Sequence, residues 1–107
     1  MSDIPILKFN NKTHSAVAMT GNIAGVSVEL FSALNIAVHS IVTGTPTGTL
    51  IIEGSNDNST FTTITSHALA GAATSFMDLY VAGYCYIQAR YAFTSGTGTL
   101  TVTISGK

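Results

Sequence analysis

The final segment of the chain restricts its fold more than any other feature. Leu100, Val102 and Ile104 alternate with Thr99, Thr101, Thr103 and Ser105. A period of two puts one set of side chains on one face of an extended backbone and the other set on the opposite face. The same alternation recurs upstream. Val26, Val28 and Leu30 alternate with Ser27 and Glu29. Ile36, Val38 and Val42 oppose Asn35, Ala37 and His39. Cys85, Ile87, Ala89, Tyr91 and Phe93 oppose Tyr84, Tyr86, Gln88 and Arg90. Turn-forming runs separate these segments: Thr20-Gly21-Asn22, Gly44-Thr45-Pro46-Thr47-Gly48, Asn56-Asp57-Asn58-Ser59 and Ser95-Gly96-Thr97-Gly98. Gly supplies unusual backbone angles there, Pro presets one, and Asn, Asp and Ser bond their own backbone. No window sustains a helical period, and the best candidate, Ala68 to Ala73, is short and broken by Gly71. The pattern predicts an all-β protein of about eight short antiparallel strands in a β-sandwich, a jelly roll being one arrangement it allows.

The remaining segments fill in that frame. Ser15 to Met19 reads as a weak strand. Leu50 and Ile52 begin a strand that turns at Asn56 to Ser59 and returns through Phe61 to Thr65. His67 to Thr74, rich in Ala and Gly, reads as a loop, and Ser75 to Val81 as another strand. Residues 1–12 read as an arm or a first edge strand, and residues 13–107 as one domain. A chain of 107 residues is long enough to bury one core without a metal or disulfide.

Charge is scarce. Charged residues make up 8% of the chain, while the apolar fraction of 46% is ordinary. Enough apolar surface exists to offset chain entropy, so the low charge does not mean disorder. Thr, Ser, Asn and Gly replace the missing charges. A monomer normally keeps a well-charged surface, so we read the sparse charge as surface that faces other protein. The four basic residues, Lys8, Lys12, Arg90 and Lys107, make no stripe of the kind that neutralises phosphates, and no nucleic-acid partner is expected. No apolar run approaches a membrane span, and the first residues lack a secretory pattern. We expect synthesis in a cytoplasm and no membrane partner. The single cysteine, Cys85, is in phase with Ile87 and Phe93 and is expected to point into the core.

Little in the chain points to catalytic or metal chemistry. His14, His39 and His67 are far apart and lack metal-ligand spacing. The acids are Asp3, Glu29, Glu53, Asp57 and Asp78. Glu29 and Glu53 are the pair an acid–base hydrolase would need, yet both fall in regular strands, where outward-facing acids keep a protein soluble. There is no nucleophile elbow, no phosphate loop and no dinucleotide fingerprint. Asn56-Asp57-Asn58 offers oxygen ligands to calcium but reads more simply as a hairpin turn. Two glycosylation-type triplets, Asn11-Lys12-Thr13 and Asn58-Ser59-Thr60, carry little weight in a chain this rich in Asn, Ser and Thr. We expect no enzyme activity, no metal and no cofactor.

Tyr80, Tyr84, Tyr86 and Arg90 form the one site-like cluster, the last three in one phase of a strand. Tyr and Arg are enriched where proteins bind partners, and they also stack on sugars. The alternative is a layer covered by a neighbouring strand or loop.

Two longer segments carry a resemblance. The first is Thr47-Gly48-Thr49-Leu50-Ile51-Ile52-Glu53-Gly54-Ser55-Asn56-Asp57, followed by Phe61-Thr62-Thr63-Ile64. The second is Tyr84-Cys85-Tyr86-Ile87-Gln88-Ala89-Arg90-Tyr91, followed by Thr94-Ser95-Gly96-Thr97-Gly98-Thr99-Leu100-Thr101-Val102. Together they resemble small β-sandwich proteins encoded among the virion structural genes of tailed bacteriophages. The resemblance spans the C-terminal part of the chain, while residues 1–45 match only in strand pattern. It implies a particle component, either a capsid decoration protein or a tail, baseplate or fibre module. It brings no catalytic residues. It implies a location in the virion, contacts with a major capsid or tail protein, and self-assembly into a closed ring, with a trimer favoured. Small size and the lack of a fibre-like repeat favour decoration. A carbohydrate-binding module, with Tyr84, Tyr86 and Arg90 as its sugar platform, is the rival reading, although the chain has no Trp.

Overall fold

The alternating segments form eight strands: β1 (Phe9–Ala18), β2 (Val28–Glu29), β3 (Asn35–Gly44), β4 (Thr47–Ser55), β5 (Thr62–Ala70), β6 (Ala73–Tyr80), β7 (Tyr86–Ser95) and β8 (Gly98–Gly106). The computed structural model describes residues 9–30, 33–81 and 83–106, and these contain no helix. The strands make two four-stranded sheets, β1-β8-β3-β6 (sheet A) and β2-β7-β4-β5 (sheet B). Every pairing is antiparallel.

The order has a simple origin. β1 pairs with β8, β2 with β7, β3 with β6 and β4 with β5. The chain is thus one long antiparallel ribbon, doubled back at the β4–β5 loop. Rolling that ribbon brings β8 beside β3 and β7 beside β4. The result is a jelly roll, and every link except β4–β5 passes from one sheet to the other. The tight crossings need glycine. At Gly44 φ is +84°, and a Cβ there would lie 2.6 Å from the Thr97 carbonyl oxygen, so no larger residue fits.

The core lies where the alternation puts it. Sheet A contributes Ile36, Val38, Val42, Leu100, Val102 and Ile104, and sheet B contributes Leu50, Ile52, Ile87, Ala89 and Tyr91. Tyr91 is buried whole, and its hydroxyl donates to the Thr47 carbonyl at 3.1 Å. Burial pushes its pKa above the ordinary phenol value.

Three segments depart from the sequence expectation. The stretch expected as a loop, His67 to Thr74, is mostly strand: β5 continues to Ala70, β6 starts at Ala73, and Gly71 at φ +91° makes the corner. Pairing with β4 and β3 overrides the weak strand preference of alanine. The strand expected around Val26 to Leu30 is regular only at Val28–Glu29, and Val26 is exposed. Cys85 is exposed rather than buried. The chain is still turning there, with Gly83 at φ +97°, and β7 starts one residue later, so the alternation does not reach Cys85. Phe9 to Lys12 belong to β1 and pair with β8; residues 1–8 of the expected arm or edge strand lie outside the described residues.

The four sheet edges are built differently. β1 has two register shifts against β8, and Ala16 within it has φ +48°. β2 is two residues long, its edge continued by a bridge from Ile23 to Tyr91 and by the Leu30 amide donating to the Cys85 carbonyl. β5 is bulged, because Ile52 pairs with Thr65 but Glu53 with Thr63. β6 pairs with β3 without interruption from Val42↔Ala73 to Asn35↔Tyr80.

Candidate functional site

Two outer faces remain once the core is built. On sheet B, Ile51 lies beside Arg90, Glu53 beside Gln88, and Ser55 beside Tyr86. Glu53 is only 7% exposed even though it is on the outer face. One of its carboxylate oxygens accepts from Gln88 Nε2 at 2.9 Å and from Arg90 Nε at 3.0 Å. A buried carboxylate needs such partners. Glu53 is therefore an internal anchor and does not act as the outward solubilising acid that strand position alone suggested. Arg90 is tied to the protein by the same contact.

The predicted cluster is divided. Tyr86 and Arg90 share the outer face of sheet B. Tyr84 precedes β7 and is half-buried against the core. Its ring covers Gly54, where a Cβ would lie 2.8 Å from Tyr84 Cε1. Tyr80 ends β6, in the other sheet, and is 73% exposed. The fold therefore does not bring these four residues to one surface.

The outer face of sheet A is of another kind. β8 presents Thr99, Thr101, Thr103 and Ser105 beside Thr43, Ile41, His39 and Ala37 of β3. β6 adds Thr74, Phe76, Asp78 and Tyr80. Phe76 is 66% exposed, and its ring stacks flat on His39, with centroids 4.2 Å apart and planes 2° from parallel. Ile41 is exposed as well. Lys12 and Asp78 are the charges on this face among the described residues. The sequence contained Phe76 without marking it. Phe76, Asp78 and Tyr80 alternate with Met77, Leu79 and Val81, so both phases are apolar, and only the neighbouring strand shows which phase faces outward.

The other chemical candidates are placed apart or used internally. His14, His39 and His67 lie on β1, β3 and β5. His14 is buried, bonded to Thr13 Oγ1 at 2.8 Å and the Ala24 carbonyl at 2.9 Å. Among the described residues, no three His, Cys, Asp or Glu side chains gather as metal ligands. In the β4–β5 loop, Asp57 Oδ1 accepts from the Ser59 and Thr60 amides at 2.9 and 2.8 Å and from Ser55 Oγ at 2.9 Å. Those bonds hold its pKa at about 2. The loop is thus a self-satisfied turn.

The architecture defines a jelly-roll β-sandwich with one weakly charged, aromatic outer face. No family model and no curated protein matches the sequence. Solved structures share the fold. SPBc2 prophage-derived protein YomS superposes with a TM-score of 0.67 at 14% identity, over 98% of this chain and 99% of that one. PBSX exported protein XepA superposes with a TM-score of 0.65 at 17% identity, over 92% of this chain but 36% of its own. PirA superposes with a TM-score of 0.56 at 12% identity, over 100% and 99% of the two chains. At these identities the likeness is one of fold.

Proposed function

We propose that the chain is a non-enzymatic structural protein of a tailed-phage-like virion, binding capsid subunits through the outer face of sheet A as a decoration protein. The observation that carries this reading is that face itself: threonine hydroxyls, two exposed aromatics and two charges on one sheet surface. Such a surface can be desolvated against another protein without stranding many charges. The jelly roll is a frequent capsid architecture, and a prophage-derived protein has the same fold over nearly its whole length. The sequence resemblance to phage virion proteins points the same way.

The test uses particles from a lysate of the encoding cell in which this gene is deleted. Purified protein is added, and heads and tails are separated on a density gradient. Saturable binding to heads supports decoration. Saturable binding to tails keeps the structural role but moves it to a tail or baseplate module. Binding to neither, together with a hit on a glycan array, would replace the proposal with a carbohydrate-binding module, a class that jelly rolls also include.

A further inference from the structure

We infer that β6 is a self-pairing edge, at which a second copy of this chain adds antiparallel and extends sheet A across a two-fold axis at Phe76. The inference does not rest on the virion reading. It starts from the contrast among the four edges. Proteins protect exposed edges with bulges, very short strands, Pro or inward-pointing charges. β1 is irregular, β2 is short and β5 is bulged. β6 has eight residues in continuous register, one charge, and no Lys, Pro or Gly. Among the described residues no strand pairs on its outer side, so alternate residues direct their N–H and C=O groups away from β3.

Phe76 identifies the occupant. Its ring lies parallel to the ring of His39 on the adjacent strand, at 4.2 Å. That distance is close to the spacing between strands, so the ring normal runs across the sheet. One ring face meets His39 and the other looks over the edge, to where a ninth strand would lie. In an antiparallel pair centred on Phe76, the two Phe76 rings meet and continue the stack. Thr74 then faces Asp78 of the second copy, so a hydroxyl meets a carboxylate twice by symmetry. Ser75 faces Met77, and Ala73 faces Leu79. A pair centred on Asp78 instead opposes two carboxylates, which is unfavourable.

The available area fits. Phe76 and Tyr80 are 66% and 73% exposed, so four such side chains expose roughly 500 Å². That is about two fifths of the ~1,200 Å² at the small end of standard interfaces. Main-chain and small side-chain area of the two paired segments brings the total to about 1,000 Å², the least a specific interface needs. The resulting two-fold dimer differs from the trimer favoured on sequence grounds.

The test is light scattering over a range of concentrations, combined with cross-linking. The unmodified chain is expected to reach dimer mass, and F76K to weaken dimerisation at least 100-fold, because it sets two lysines face to face. In a C85S background, oxidation should link F76C into covalent dimers. Y80C should not link, because the two Tyr80 positions lie roughly 26 Å apart along the paired strands. Both residues are exposed, so the variants are expected to fold, and circular dichroism checks that they do. A monomer at every concentration would overturn the inference, as would a trimer that F76K leaves intact, or Y80C linking as fast as F76C.

Discussion

On the outer face of sheet B, Glu53 accepts hydrogen bonds from Gln88 and Arg90 across the β4–β7 pair. On the outer face of sheet A, His39 stacks against Phe76, and among the described residues β6 has no further strand beside it. The two faces use the same strand geometry and the same alternation. In sheet B the long polar side chains find partners on the adjacent strand, and the face is satisfied from within. In sheet A, Thr99, Thr101 and Ser105 also find partners on adjacent strands, but the aromatics stand next to an open edge. Whether a strand face is structural or available for binding therefore depends on what the neighbouring strand supplies, and not on how polar the face is.

The contrast can be broken most directly at Glu53. Replacing it with Ala leaves Arg90 and Gln88 without their shared acceptor. We expect a loss of about 2 kcal/mol in urea unfolding, below the usual figure for a buried pair because Arg90 is partly solvated. A loss under about 0.5 kcal/mol would show that the sheet B face is not an anchor. Tyr91→Phe removes only the hydroxyl that donates to Thr47, and should cost about 1 kcal/mol. Its unfolding curve should keep the same slope against denaturant.

Asp57 holds the loop at the tip of sheet B. Its folded pKa of about 2 lies below the ordinary value of 3.8. A depressed carboxylate stabilises the fold above its unfolded pKa, and that stabilisation is lost as pH falls through the folded one. The stability difference between the unmodified chain and Asp57→Asn should therefore be constant above about pH 5 and shrink between about pH 4 and 2. A difference that does not change with pH would mean the loop bonds do not depend on the charge. The smallest effect belongs to sheet A. Phe76→Ala and Tyr80→Ala should each change stability by less than about 0.5 kcal/mol, when measured at low concentration so that self-association does not contribute. A loss above about 1.5 kcal/mol for either would make the sheet A face structural as well.

Much of the core was legible as alternation. Leu100, Val102 and Ile104 are buried as expected, as are Ile36, Val38 and Val42. The expectation failed where alternation met a strand end. Cys85 kept the phase of β7 but sat outside it, and Val26 kept the phase of β2 but is exposed. The Tyr/Arg cluster was legible only as a list of neighbours in sequence. Tyr84 and Tyr86 are two residues apart, yet the turn at Gly83 turns one toward the core and leaves the other on the outer face. Phe76 gave no signal, because Met77 and Leu79 make the opposite phase equally apolar.

Periodicity and turn chemistry are local properties of the chain, and from them the all-β class, the approximate strand count and most buried positions could be read. The strand order, the burial of Glu53 and the open edge at β6 depend on which strands lie side by side. Those neighbours are distant in sequence: Glu53 meets Arg90, and β3 meets β8. A strand carries no local mark of its partner, so the faces that can bind became visible only once the ribbon had rolled up.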